Sequence, residues 1–215
     1  MAIAEQKRAE RRFVMHGVSW NTYELLLADL ANRSTPRITY DQGRLELMSP
    51  SDEHEQYRRL LGRMIDIWTL EKRIPIRSFG ATTFKREASQ RGIEADECYY
   101  VRNEALVRGR RGLDLDADPP PDLAFEIDIS SSSLDKLELY AALGVPEVWL
   151  FTGEALTMYQ FRSDAYHTID DSLNLPGFPA AEVAHWIARA GAEDETQWAA
   201  SFQDWVRQRG EPAGG

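Results

Sequence analysis

The sequence predicts a mixed α/β fold, a central sheet flanked by helices with the core order α-β-β-β-α-β, and three observations predict it. After Pro50-Ser51, the apolar residues Tyr57, Leu60, Leu61, Met64, Ile65 and Trp68 recur at the spacing of one buried helix face. Three runs with strand character follow: "PIRSFGATTFKR", "GIEADECYYVRN" and residues 122–129. A helix over 133–143, stopped by Gly144 with Pro146 just beyond, then leads into the apolar run "EVWLF". Helices and strands in this order are expected to pack as layers around one core.

The flanking elements attach to that core. Residues 19–31 predict a helix capped by Ser19 or Asn21, and "RITYDQGRLELMSP" predicts a hairpin turning at Asp41-Gln42-Gly43. "ALTMYQF" reads as an edge strand, and helices are expected near 179–190 and 194–208. In the last of these, Trp198, Phe202 and Trp205 form an i, i+4, i+7 stripe suited to a core or to a subunit interface, so a homodimer is an expectation. The whole reads as a single domain over 1–210, with its core at about 50–152 and a flexible tail over 211–215.

Composition narrows the function classes. The 215 residues are 43% hydrophobic with a net charge of −10, which argues against a large basic surface for non-specific nucleic-acid binding. One cysteine, Cys98, excludes a disulfide within the chain and a multi-cysteine zinc site. The first twenty residues carry charges rather than an apolar signal run, and no stretch approaches the roughly 20 apolar residues of a membrane span. A cytoplasmic protein with no membrane partner is expected.

The chemistry is expected on strand 122–129. Counted by twos, Leu123, Phe125, Ile127 and Ile129 share one side, and Asp122, Glu126 and Asp128 share the other with Ala124. The same count over "EADECYYV" puts Glu94, Asp96 and Cys98 on one face. If the two acidic faces coincide, Asp96 and Glu126 converge, and two close carboxylates call for a cation between them. Oxygen ligands alone favour a hard ion, magnesium or manganese in its place. Lys136 falls in the first turn of the following helix, capped by one of Ser131 to Ser133, a position the helix dipole makes unfavourable for a cation. The turn into that helix would bring it over the carboxyl end of the strand. The arginine-rich "VRGRRG", with Lys85, Arg86 and Arg102, is the best supply of phosphate-binding charge. His16, His167 and His185 have no ligand-like spacing.

The strings "GIEADECYYVRN" and "DPPPDLAFEIDISSSSLDKLELYAALGVPEVWLF", with "RITYDQGRLELMSPSDEHE" before them, resemble the Uma-type "putative restriction endonuclease" family. This is a domain of unknown function expanded in cyanobacteria, within the PD-(D/E)XK nuclease superfamily. The resemblance covers about residues 15–180. It implies a restriction-endonuclease-like core and metal-dependent hydrolysis of DNA phosphodiester bonds. Asp96 matches the superfamily's acid position, with Ala95 where a proline is usual, and Glu126 matches the (D/E) position. Asp128 stands where the motif's lysine would fall, and Lys136 matches a basic residue displaced to the next helix. The implied catalytic set is Asp96, Glu126 and Lys136, with Asp96, Glu126 and Asp128 as magnesium ligands. Glu46, Glu53, His54 and Asp122 are supporting candidates, and Arg108, Arg110, Arg111, Lys85 and Arg86 are candidates for nucleic-acid contact. The alternatives are a catalytically silent nucleic-acid or protein binding module, and a partner-dependent component of a defence or mobile-element system.

Overall fold

The computed structural model describes residues 9–31, 33, 35–130, 132 and 134–209. The tail at 211–215 and the proposed caps Ser131 and Ser133 lie outside the described residues. Two sheets organise the chain. The first joins β1 (Arg11–Met15), β2 (Arg37–Asp41), β3 (Arg44–Ser49), β5 (Thr83–Arg86) and β6 (Arg91–Glu94) in the order β1-β3-β2-β6-β5. The second joins β4 (Arg77–Ser78), β7 (Glu97–Tyr100), β8 (Leu123–Ile127), β9 (Glu147–Phe151), β10 (Leu156–Arg162) and β11 (Ala165–Ile169) in the order β11-β10-β9-β8-β7-β4. The helices are α1 (Trp20–Leu30), α2 (Asp52–Lys72), the single turn α3 (Glu104–Val107), α4 (Lys136–Leu143), α5 (Val183–Ala190) and α6 (Glu195–Gln208).

The expected core order is present as α2-β4-β7-β8-α4-β9, in a mixed sheet. β4, β7 and β8 pair antiparallel, whereas β8 and β9 run parallel across the α4 crossover, as strands of one direction require. The hairpin also forms as expected: Asp41 faces Arg44, and Gln42 (φ 46°) and Gly43 (φ 94°) take the left-handed conformations of a two-residue turn that matches strand twist. Ser19 caps α1, its hydroxyl accepting from Thr22 N at 3.2 Å.

Each face of β8 is covered. Leu123, Phe125 and Ile127 pack with Leu60, Leu61, Met64, Ile65 and Trp68 of α2, the helix face expected from the sequence. Trp198 and Phe202 of α6 are fully buried in this same core, so the aromatic stripe is used within the chain. The other face, at Ala124, packs with Leu139, Tyr140 and Leu143 of α4 and with Phe84 and Ile93 of the first sheet. Burying one such aromatic or aliphatic side chain contributes roughly 1.5–3 kcal/mol, and these two layers set the height of the strand ends where the candidate acids sit.

Four expectations need correction. "PIRSFGATTFKR" and "GIEADECYYVRN" are not two strands but four, because both runs change sheets: β4 gives way to β5 around Gly80 (φ 63°), and β6 gives way to β7 at Ala95-Asp96. The α4 layer separates the sheets at this point, and a single straight strand cannot hydrogen-bond in both. The face shared by Glu94, Asp96 and Cys98 is therefore broken, since parity does not carry through a sheet change. α4 begins at Lys136, and its cap is Asp135, whose carboxylate accepts from Leu137 N and Glu138 N. Strands β1 and β11 were not anticipated; each is a sheet edge with a half-exposed pattern that weakens the hydrophobic signal.

Candidate active site

Asp96 occupies the junction where the chain leaves one sheet for the other, and it is fully buried. Its Oδ2 accepts the Ile127 N–H at 2.6 Å, which ties the start of β7 to the end of β8. The β7–β8 ladder pairs Glu97 with Phe125, so one further step sets Asp96 opposite Glu126. The two acids thus share one end of the ladder.

Each of these acids is held by a cation of the chain. Asp96 Oδ1 is in contact with Arg37 Nη1, from the first residue of β2, and Oδ2 lies 3.2 Å from His54 Nε2, in the first turn of α2. Glu126 Oε2 accepts from Lys136 Nζ at 2.6 Å, and Oε1 accepts from the Tyr140 hydroxyl one helical turn later on α4. Glu126 and Lys136 are both buried, so the cost of desolvating each charge is offset by the other. The Tyr140 hydroxyl is pushed well above its ordinary value by burial and by the adjacent Glu126 carboxylate.

The surrounding charges extend the network. Arg37 reaches Glu55 Oε1 with Nη2 at 2.7 Å, and Arg58 reaches Glu55 Oε2 at 3.1 Å. The neighbouring His54 imidazole, with the Arg37 and Arg58 guanidiniums, outweighs partial burial and holds Glu55 down at about 2. Glu94 is pushed up, chiefly by burial and also by the charge of Glu126, while Arg37 pulls it back.

The remaining candidates separate by place. His54 faces the site, with its own N–H fixed by the Ser51 cap at 3.0 Å, whereas Glu53 points outward and accepts from the Tyr57 hydroxyl. Glu46 on β3 accepts from Arg12 at 2.6 Å and from Ser132 at 3.1 Å, so it anchors the loop leading to Lys136. Asp128 is half-buried on the Lys136 side; its Oδ1 has no hydrogen-bond donor among the described residues, and it lines a shallow cleft with Ser132, Asp135 and Lys136.

Asp122 stands at the other end of the ladder. It accepts from Val101 N, Asn103 N and Asn103 Nδ2 at 2.8–2.9 Å and so holds the turn that leaves β7. The arginine loop 108–111 belongs to that same far end, because it joins the exit of β7 to the entry of β8. There Arg108 pairs with Glu104 at 2.5 Å and Arg110 with Asp118 at 3.2 Å, and Arg111 is exposed. Lys85 pairs with Glu24 at 2.6 Å, Arg86 donates to the Ala142 carbonyl at 3.0 Å and Arg102 to the Leu173 carbonyl at 3.1 Å.

Two site residues escaped the sequence reading. Tyr140 had a signal, since it lies four residues after Lys136 and shares its helix face. Arg37 had none: it lies 59 positions before Asp96, as 96 minus 37 shows, and only the packing of β2 against the sheet junction joins them.

The donor chemistry fits a hard divalent ion. Asp96 and Glu126 supply carboxylate oxygens at one strand end, and the donor-free Oδ1 of Asp128 continues the same side of β8. The opposing observation is that Arg37 and Lys136 already neutralise the two acids, and among the described residues no three acidic, histidine or cysteine side chains gather as a ready-made metal cage.

A family model described as "Uma2: Putative restriction endonuclease" matches residues 20–185. A solved structure described as "a putative nuclease belonging to DUF820", from Anabaena variabilis, aligns with a TM-score of 0.50 at 15% identity, over 75% of this chain and 98% of that one, which is a likeness of fold. Curated proteins offer no match. Among the described residues, no helix is long and apolar enough to cross a membrane.

Proposed function

We propose that this chain, which belongs to the Uma2 family of restriction-endonuclease description, is a magnesium-dependent endonuclease acting on the phosphodiester bonds of DNA. The observation that carries the reading is the Glu126–Lys136 pair, buried at the same strand end as Asp96. Spending a buried lysine and two buried acids at one point costs stability that packed apolar residues would not cost, so a chemical use is the economical explanation.

Asp96 and Glu126 would hold the ion, with Asp128 alongside and manganese able to replace magnesium. Such an ion polarises phosphate and lowers the pKa of water. Lys136 then has two tasks: it orients the attacking water through its Nζ protons and offsets charge that develops on the phosphate. Tyr140 fixes the other oxygen of Glu126, which limits the carboxylate to one orientation. The Ile127 N–H does the same for Asp96, with His54 Nε2 3.2 Å from the same oxygen. Binding of the nucleic-acid backbone is assigned to Lys85, Arg86 and the 108–111 loop, whose charges are largely matched by acids of the chain; DNA contact there requires exchange of those partners for phosphate.

A second reading, a binding module without catalysis, draws support from the two acids being neutralised by Arg37 and Lys136. Calorimetry with magnesium and manganese on the native chain and on Glu126→Gln decides between them, followed by cleavage assays on single- and double-stranded DNA. Metal binding lost in the variant, together with metal-dependent cleavage by the native chain, supports the nuclease. A native chain that takes up no metal, with or without DNA, supports the module.

A further inference from the structure

We infer that Arg37 governs metal uptake: it occupies Asp96 when no ion is bound, and it yields the carboxylate by withdrawing to Glu55. This rests on the proposed metal-dependent reading and adds the residue that controls loading. Arg37 bridges two carboxylates, Nη1 on Asp96 and Nη2 on Glu55 at 2.7 Å. The two partners are unlike. Asp96 is 1% exposed at its side chain and Glu55 is 40% exposed. A guanidinium that leaves Asp96 therefore keeps an ion pair already formed, on a carboxylate that water also stabilises.

There is room for the movement. A groove of about 540 Å³ opens beside Arg37, lined by Ser51, Asp52, Glu55, Arg58 and Glu94. Arg37 also comes from the first sheet, whereas Glu126 and Ile127 come from the second, so its departure breaks no ladder between Asp96 and β8. A guanidinium and a divalent ion on one buried carboxylate repel strongly where the dielectric is low. One must displace the other. Until then Arg37 keeps Asp96 from being a buried, uncompensated charge, which lets the metal-free chain hold its fold.

The test is Mn²⁺ binding by calorimetry and by electron paramagnetic resonance on the full chain, with no nucleic acid. Arg37→Gln is expected to tighten Mn²⁺ binding by about tenfold or more, one decade in Kd being a moderate coupling between competing ligands. Arg58→Gln, in the same groove but paired with Glu55 and Glu97 rather than Asp96, is expected to change it less than about threefold. Glu55→Gln is expected to weaken binding in the native background and to have little effect once Arg37 is Gln. If Arg37→Gln does not fold, Arg37→Lys decides, because a lysine has one nitrogen in place of the planar fork whose two nitrogens hold Asp96 and Glu55 at once; it is expected to tighten binding as well.

The inference is overturned if Arg37→Gln, or Arg37→Lys in its place, binds Mn²⁺ no more tightly than the native chain. It is also overturned if Arg58→Gln tightens binding as much, or if Glu55→Gln weakens both backgrounds equally. Asp96→Asn separates the two levels. If it abolishes binding that Arg37 variants leave unchanged, the nuclease reading stands and the gate alone fails; if the native chain and every variant bind nothing, both fail.

Discussion

Lys136 Nζ lies 2.6 Å from Glu126 Oε2, with the two side chains 9% and 2% exposed, at the point where α4 turns back over the end of β8. The N-terminal dipole of α4 disfavours a cation at Lys136, so Glu126 and the Asp135 cap are what hold it there. Removing one member is therefore costlier than removing both.

Lys136→Met should destabilise the fold by about 3–5 kcal/mol, because Glu126 is left as a buried charge with only Tyr140 beside it. The double variant Glu126→Gln/Lys136→Met should recover part of that loss. Urea unfolding of the two single variants and the double completes the cycle. Additive losses would mean that the two groups do not stabilise each other.

Asp122→Ala removes an acceptor from three N–H groups, and should cost about 1–3 kcal/mol for the donors left without partners. It should leave Mn²⁺ affinity unchanged at temperatures where the variant is folded, since Asp122 is about four strand residues from Glu126, roughly 13 Å along β8. A fall in affinity with the fold intact would place Asp122 in the site.

Glu147 is fully buried, and its carboxylate accepts from Trp149 Nε1, Leu173 N, Asn174 N and Asn174 Nδ2. Burial nonetheless pushes its pKa above the ordinary value, against the pull of its hydrogen bonds from Ser172, Trp149 and Asn174. The folded state then binds this proton more tightly than the unfolded state. Its contribution to stability is fully present below the unfolded value near 4.5 and is lost as pH rises through the folded value. Glu147→Gln should flatten that part of the curve, measured by urea midpoints from pH 4 upward; an unchanged slope refutes the assignment.

Glu55 acts with the opposite sign. Held down at about 2, it contributes stability that is present above 4.5 and is lost as pH falls through about 2. Solvent screening of its 40% exposed side chain makes the effect modest. Glu55→Gln should shallow the acid limb of stability between these two values while leaving the region above pH 6 parallel to native, followed by circular dichroism. An acid limb as steep as the native one would show that Arg37 and His54 do not favour the ionised form.

Much of the site was readable because it depends on short-range pattern. The apolar side of 122–129 and the face of α2 are periodicities of two and 3.6 residues, and both pack as expected. Glu126 and Lys136 lie within a single strand-to-helix turn, so their meeting follows from local geometry. The failures share a cause as well. Parity through "EADECYYV" assumed one strand, and the chain instead crosses between sheets at Asp96, a decision made by α4 and the first sheet packing on the other side. The acidic side of 122–129 is enclosed at Glu126, because Tyr140 and Lys136 cover it.

By itself the sequence determined the alternation along 122–129, the buried face of α2, the stop of α4 at Gly144, and that two acids and a lysine stand at the center of the element order. Those properties reside in contacts a few residues apart, which hydrophobic period, caps and turn residues encode directly. Only the tertiary structure decided that Asp96 is bridged by Arg37 to Glu55, that Asp122 serves the opposite end of the ladder, and that the arginine loop lies there too. These relationships join distant segments through sheet order, and a strand's neighbours are chosen by the packing of whole layers, not by the residues of the strand alone.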